Sequence, residues 1–412
     1  MTIAPRMAWR NVWRNPRRSV LTMAAIAFAC TLLIFMLSFQ FGTYETMINS
    51  AVRIHTGYFQ VQAEGYYDDP AVRKVVPDPG RVFRALSEIP AVTAATGRAA
   101  AFSLVSSEAR TYGARVTGLD PVREPAVSRL KQLVREGRFL EPGDTDAALL
   151  GHLLAENLQV GIGDPVTLLG QGRDGAIAAA VVTVRGIFRS GQDDFDRNAL
   201  HIPLGFFQEV FFMRGAVHKV VAVTQSLSDV SEVTEAVARK LADGGAKTSL
   251  AVLDWSQLMP GLRQSIQVDL ISGLIFYGLL LIVVAFSILN TFLMAVLERT
   301  REFGVMMALG TSRRRLTRLL LLESMLLTAM GIGAGLALGC AVTLFFQSHG
   351  IDMSEAAELL QQFGISGTLH PRLSFSSAAI GPALVLGITF FTAVYPALRV
   401  RRLTPVEAMR HA

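Results

Sequence analysis

The chain has 412 residues, 51% hydrophobic and only 17% charged, with a formal net charge of +6. Soluble domains carry about 25% charged residues, so this composition excludes an ordinary soluble protein and points to the membrane. The basic excess sits in short segments beside apolar runs, which makes it a topology signal and not a nucleic-acid footprint.

In chain order, residues 1–18 carry Arg6, Arg10, Arg14, Arg17 and Arg18 and no acid, and precede an uncharged run at 19–42. That run reaches the roughly 20 apolar residues needed to cross a bilayer. It continues well past the small-x-small site Ala25-Ile26-Ala27, beyond the about 7–15 residues of a signal h-region, so an uncleaved first span is expected. Three more spans are expected at 269–297, at 319–347, where Glu323 is the one charge, and at 373–398. Between them lie an inner loop at 298–318 and a short outer loop at 348–372, with a tail at 399–412.

Orientation follows from arginine placement. Segments 1–18, 298–318 and 399–412 hold fifteen of the 39 Lys and Arg residues but three of the 33 acids. Lys and Arg are retained on the cytoplasmic side, so both termini and the 298–318 loop are expected inside.

Residues 43–268 read as a folded outer α/β domain. The run Gly57–Ala63, GYFQVQA, alternates like a half-buried strand. Asp78–Ile89 has Val82, Leu86 and Ile89 at helical spacing after Asp-Pro. Ala148–Leu158 reads as a helix followed by a Gly turn and a strand, and Ala179–Arg189 as a strand with a Gly bulge. A later helix is expected at Asp229–Leu241, and a subdomain boundary near 118–125 and 141–145. The flanks, Thr43–His55 and Trp255–Asp269, lack the Gly and Ser of flexible linkers and are expected to prolong the spans as helical stalks. In the 348–372 loop, Met353, Ala356, Ala357, Leu360 and Phe363 share one helical face. Both cysteines, Cys30 and Cys340, lie within spans, so the outer domain is expected to build its core without a disulfide.

In the third span Gly331, Gly335 and Gly339 recur every four residues, the spacing that lets helices approach closely. The spans lack the chains of ionisable residues that an ion-coupled transporter needs, and Glu323 is expected to pair structurally, one turn from Arg318. Lys247-Thr248 follows Ala246 and makes no P-loop. No H-e-x-x-H or Cys/His ligand set and no G-x-S-x-G elbow occurs. Asp193, Asp194 and Asp196 lack Ca-loop spacing and are expected in a solvated turn. The chain is thus expected to hold no catalytic residue, metal or cofactor of its own.

The inner loop is the informative segment. Phe303, Met306, Met307 and Gly310 fall on one helical face, and Gly310-Thr311-Ser312 is expected to end that helix before Arg313–Arg315. Two readings fit: a helix resting on anionic lipid, or one presenting its apolar face to a groove on a cytoplasmic partner.

Arg299–Ser312, R-T-R-E-F-G-V-M-M-A-L-G-T-S, resembles the loop motif R-T-R-E-I-G-x-x-x-A-x-G-A-S of the MacB/FtsX/LolCE-type ABC transporter permeases (type VII ABC). Three further stretches are similar to that family. They are A-W-R-N-V-W-R-N-P-R-R-S-V-L-T (8–22), the outer G-R-F-L-E-P-G-D (137–144) with L-L-A-E-N-L-Q-V-G-I-G-D (153–164), and Y-P-A-L-R-V-R-R-L-T-P-V-E-A-M-R (395–410). The resemblance implies an α-helical membrane protein with four transmembrane helices and a MacB-like periplasmic α/β (α+β) domain inserted between the first two. Residues 269–412 would form an FtsX-like permease domain in the bacterial inner membrane. It also implies a second permease copy or paralogue, and a separate cytoplasmic ABC ATPase that binds ATP and Mg. Arg299, Arg301, Glu302, Phe303, Gly304, Met306, Met307 and Gly310 would then belong to the helix that docks into the ATPase. A MacB protein carries its ATPase fused at the N-terminus, whereas about 18 residues precede the first span here, so the ATPase is expected in another chain.

ATP-driven motion would be transmitted mechanically through the stalks. Chain length and the GYFQVQA strand look most like the lipoprotein-releasing LolC/LolE branch, with a periplasmic lipoprotein or carrier as partner, while R-T-R-E-F-G is nearer the efflux branch. Export of another amphiphile and control of cell-wall hydrolases are the family alternatives. An envelope sensor is the alternative from another class, though no cytoplasmic signalling domain supports it.

Overall fold

The computed structural model describes residues 3–243, 249–353 and 368–401. It opens with helices α1 (Ile3–Val12) and α2 (Pro16–Ala51) and a π-turn (Val52–Thr56). There follow β1 (Phe59–Ala63), α3 (Pro79–Ser87), β2 (Val92–Ser106), β3 (Thr111–Leu119), α4 (Glu124–Val127), β4 (Val134–Gly137) and β5 (Ala147–Gly151). Next come α5 (His152–Leu158), β6 (Pro165–Gln171), β7 (Ile177–Phe188), α6 (Asp193–Asn198), β8 (Ala199–Pro203), α7 (Leu204–Val210) and β9 (Lys219–Thr224). The order closes with α8 (Val230–Asp243), β10 (Leu250–Asp254), α9 (Trp255–Leu258), α10 (Pro260–Glu298), α11 (Thr300–Ala308), α12 (Arg313–His349), β11 (Ile351–Asp352), β12 (Thr368–Leu369) and α13 (Phe375–Arg401). The chain divides into a membrane unit (1–44, 266–352, 368–412) and an extramembrane unit (45–265, 353–367). The helical face expected around Ala356, Ala357, Leu360 and Phe363 lies outside the described residues, as do Lys247-Thr248 and most of the tail.

The extramembrane unit is built on one ten-stranded sheet, β10-β1-β9-β2-β3-β8-β5-β7-β4, with β6 pairing β2 and β7. It is mixed, β3–β8 and β5–β7 being parallel. Both faces are covered in the β5 region, where strand alternation sends Ala148 and Leu150 into one apolar cluster and Ala147 and Leu149 into another. Burial on two faces also explains β1. All five of its residues are buried, Gln60 and Gln62 included, so the half-buried reading of GYFQVQA is corrected. The expected helix at 148–158 starts only at His152, because its first residues form β5. A single sheet crosses the subdomain boundary expected near 118–125 and 141–145.

Several sequence signals have physical counterparts. Asp78 caps α3 by accepting from the Arg81 amide, and Val82 and Leu86 are buried. Leu149 faces Gly186 while Ala148 faces Val184, so Arg185 is the extra residue of the expected bulge. In G-R-F-L-E-P-G-D the Arg138 guanidinium spans the turn to grip both Asp144 oxygens, at 2.8 and 2.7 Å. In N-L-Q-V-G-I-G-D, Gln159 ends α5 with φ +56°, and Asp164 accepts from the Gly161 amide at 2.8 Å. The acidic cluster is only partly solvated. Asp193 and Asp194 are exposed, but Asp196 is fully buried, accepts from the Ser190 amide and lies 3.0 Å from His152 Nδ1.

In the membrane unit α2, α10, α12 and α13 are long and apolar enough to cross a bilayer. Their common core includes Ile26, Leu33, Leu281, Ile288, Phe292, Leu327 and Val385. Both flanks expected as stalks contain helix: α2 continues to Ala51, and α9, capped by Asp254 and Gln257, precedes α10 after a break at Met259. Near the end of the spans away from the arginines, Gln40 and Tyr44 of α2 meet Asp269 and Tyr277 of α10. Tyr44 Oη donates to Asp269 at 2.5 Å, and Tyr277 Oη to Gln40 at 2.9 Å.

The glycine stripe packs against the first span. A Cβ at Gly331 would meet Ile26 at 2.8 Å, one at Gly335 would meet Cys30 Cβ at 2.6 Å and the Ala27 carbonyl at 2.7 Å, and one at Gly339 would meet Ile34 at 3.0 Å. Thr31 Oγ1 donates to the Gly335 carbonyl at 3.1 Å, at the same close approach. Gly335→Ala is therefore expected to lower the melting temperature of the detergent-solubilised protein, by overpacking worth about 1–3 kcal/mol. Gly333→Ala, where a Cβ meets nothing within 4 Å, is expected to leave it unchanged. Equal melting temperatures for the two variants would refute the packing role.

Candidate coupling site

At the basic end of the membrane unit the chain leaves α10 at Glu298 and forms α11, with Arg299 at its N-cap. Gly310, at φ +91°, closes α11, its amide and that of Thr311 donating back to Met307 and Met306. The Ser312 carbonyl then starts α12 by accepting from Arg315 and Leu316. Helix, glycine stop and restart fall where the sequence placed them.

The apolar face, however, points inward. Phe303 is 1% exposed and packs with Val296, Leu316 and Leu320, with Met306 and Met307 partly buried against them. Gly304 is buried as well. The stripe expected to face a partner thus finds its apolar contacts where α10 ends and α12 begins, because these helix ends are themselves apolar. The surface left open on α11 is Arg301, Val305 and Ala308, followed by Leu309 at 81% exposure and Gly310.

A chain of ion pairs surrounds this turn. Arg14 grips Glu302 with both nitrogens, at 2.8 and 2.5 Å. Glu302 also receives Arg299 Nε at 3.4 Å, and Arg299 Nη1 reaches Glu323 at 3.0 Å. The Arg299 guanidinium stands 5.5 Å from the Phe303 ring centre. Arg18 pairs separately with Glu298 at 2.7 Å. These groups line a cavity of about 250 Å³, with Asn11, Thr22, Thr291 and Ser324 adding polar atoms. Segments preceding and beginning α2 are so tied to the end of α10, to α11 and to α12. Glu323 pairs with Arg299 and not with Arg318, which corrects the expected partner.

Of the expected site residues, Arg299, Glu302, Phe303, Met306 and Met307 come together here, and Arg301 and Gly310 face outward. Gly331, Gly335 and Gly339 belong to the packing against α2. Arg14, Arg18 and Glu298 were not foreseen. Arg14 and Glu302 are 288 positions apart, and the sequence marked the Arg14 segment by its arginine content and by the family-like stretch 8–22, neither of which names its partner. Among the described residues no cluster of His, Cys, Asp and Glu could hold a metal ion.

The hydrogen bond from Arg14, followed by the pull of Arg299, holds the Glu302 carboxyl below the usual carboxylate range, and Arg14 is raised in turn. A depressed carboxylate pKa contributes stability that is present above the unfolded value, about 4.3, and is lost as pH falls through the folded value. The melting temperature is therefore expected to drop on acidification below about pH 4.3, and Glu302→Gln is expected to lose that part of the drop. Glu302→Arg is expected to destabilise the unit and Arg14→Glu/Glu302→Arg to restore most of the loss. A double variant no better than the single would refute the pairing.

The chain is similar to known proteins along most of its length. Residues 19–240 match the MacB-like periplasmic core domain family, and residues 274–405 the FtsX-like permease C-terminal family. The lipoprotein-releasing system transmembrane protein LolC of Xylella fastidiosa is 27% identical over 76% of this chain and 78% of its own. LolC of Neisseria meningitidis is 22% identical over 97% and 96%. The pyoverdine export ATP-binding/permease protein PvdT of Pseudomonas syringae is 26% identical over 98% of this chain and 58% of its own length. With four membrane helices, an inserted α/β unit and both family matches in the expected order, the chain belongs to the FtsX-like permeases with a MacB-like periplasmic core domain, and is an inner-membrane ABC transporter permease of the MacB/FtsX/LolC type.

Proposed function

We propose that this permease converts ATP hydrolysis by a separate cytoplasmic ATPase into mechanical work on the periplasmic side, and that this work releases lipoproteins from the inner membrane. The observation that carries the reading is the build of α11. It is a short helix at the arginine-rich end, anchored by Phe303 and by the ion-pair chain, with an open Arg301/Val305/Ala308/Leu309 surface that no described residue covers. The arginine bias assigns that end to the cytoplasm, where an ATPase subunit binds. A second permease, identical or paralogous, completes the assembly, with ATP and Mg held by the ATPase subunits. Movement of α11 would be passed through the long helices α2 and α10, and the spans need no hydrophilic path because no polar cargo crosses them.

Lipoprotein release is favoured by the LolC relatives, which align over most of their own length. Export of another amphiphile is the second reading. It is favoured by PvdT, which aligns with 98% of this chain.

The open face of α11 defines the test of coupling. Val305→Asp and Leu309→Asp are expected to reduce co-purification of the ATPase at least ~10-fold, a loss of about 1.4 kcal/mol, while the permease keeps its melting temperature. Phe303→Asp is expected instead to destabilise the permease itself, since it buries an unpaired charge. Unchanged co-purification in both surface variants would refute this docking face. Release of an acylated protein from proteoliposomes upon ATP addition is the expected activity of the complex. Robust ATP hydrolysis with no release would exclude lipoprotein extraction and favour export.

A further inference from the structure

Within the extramembrane unit, the helix that begins as the first span ends in the π-turn Val52–Thr56, closed by the Gly57 amide donating to the Val52 carbonyl at 2.7 Å. A π-turn carries one more residue than an α-turn, is rare, and is frequently found at functional sites. The last carbonyls of a helix have no partner within it, and here neighbouring segments supply them. The Arg53 carbonyl accepts from the Arg129 amide at 2.7 Å, the Thr56 carbonyl from Gln60 Nε2 at 2.7 Å, and the His55 carbonyl from the Arg98 guanidinium. Gly57 has φ +73°, and a Cβ there would stand 2.3 Å from Val221 Cγ1, so the chain turns from helix into β1 with no space to spare.

Arg98 is the costly member of this set. It projects from the middle of β2 and is 2% exposed, and it is paired there with Glu124 of α4, 1% exposed, at 2.5 and 3.0 Å. Ser128 Oγ donates to the same carboxylate at 2.6 Å. A buried ion pair is a poor source of stability compared with apolar side chains of the same size. Its use here is geometric: the carboxylate orients the guanidinium fork, whose remaining nitrogen reaches a helix carbonyl.

We infer that Arg98 is a positioning residue that fastens the first membrane helix to the extramembrane sheet, holding the π-turn in its wide register so that axial movement of α2 is passed to β2 and its neighbours. This rests on the reading of the chain as a permease that performs ATP-driven work. Without Arg98 the turn would be free to tighten into α register, absorbing displacement instead of transmitting it.

The test uses the full-length protein in lipid nanodiscs and two variants. Arg98→Met/Glu124→Leu removes both charges of the pair together. Arg98→Lys keeps the charge but loses the fork. Hydrogen exchange of the amides at 53–58 is expected to quicken at least ~10-fold in the double variant and less in Arg98→Lys, while amides of β2, β3 and β9 keep their protection. In proteoliposomes with the ATPase, ATP turnover is expected to stay within about twofold of wild type while cargo release falls at least ~10-fold, equivalent to about 1.4 kcal/mol. Unchanged exchange at 53–58 overturns the inference, as does release at the wild-type level. Exchange that rises equally across β2 and β3 also overturns it, since Arg98 would then serve only the fold. Failure of the wild-type complex to release acylated protein counts against the lipoprotein reading, and the exchange result still decides the clamp.

Discussion

The shared guanidinium of Arg299 is the interaction on which the basic end of the membrane unit depends. Glu323 lies in α12 about one turn past Leu319, where the helix turns apolar and an unpaired carboxylate would be expensive. Arg299 neutralises it, and Glu302 and Arg14 extend the chain towards water, from 15% exposure at Glu323 to 58% at Arg14. The shielded Arg299–Glu323 pair is thus linked through Glu302 to Arg14, the most exposed of the four. Exposed pairs taken singly contribute little, but here the same side chains bridge helices that are distant in sequence. The pairs thus tie α11 to the segment before α2 and to α12.

Elsewhere in the membrane unit the ties are of another kind. Lipid is as apolar as leucine, so helices associate through close packing and a few polar contacts. The Gly331/Gly335/Gly339 stripe supplies the first, bringing α12 against Ile26, Cys30 and Ile34 of α2. The Gln40–Tyr44–Asp269–Tyr277 group supplies the second, between α2 and α10. Helix α2 thus carries packing, polar ties and, at its far end, the Arg98-clamped turn. These constraints suit a helix proposed to transmit force.

The extramembrane unit shows how two covered faces change the reading of strands. A sheet with one wet face alternates visibly, whereas β1 and β5 are buried on both sides, and in β5 the alternation separates two cores instead of core from water. This is why GYFQVQA carries two buried glutamines and why the apolar run 148–151 does not alternate with polar residues as a half-buried strand would. Buried polar groups in such strands must find partners in the fold, and Arg98 finds Glu124, Ser128's neighbour in the segment after β3, together with a helix carbonyl.

The sequence by itself determined the four spans, their orientation bias, the inserted α/β domain, the Gly310 stop and the family, because length, hydropathy, charge and turn chemistry are local properties. Arg299 and Glu302 were also legible, as members of a motif. It could not say which way the Phe303 stripe faces, since an amphipathic helix at a membrane surface has apolar partners available on the chain as well as off it. Tertiary structure alone settled that Phe303 packs inward, that Arg14 meets Glu302, that Glu323 meets Arg299, and that the glycine stripe answers to α2. Each of these joins residues far apart in sequence, and periodicity records only the face a residue lies on, never what comes to cover it.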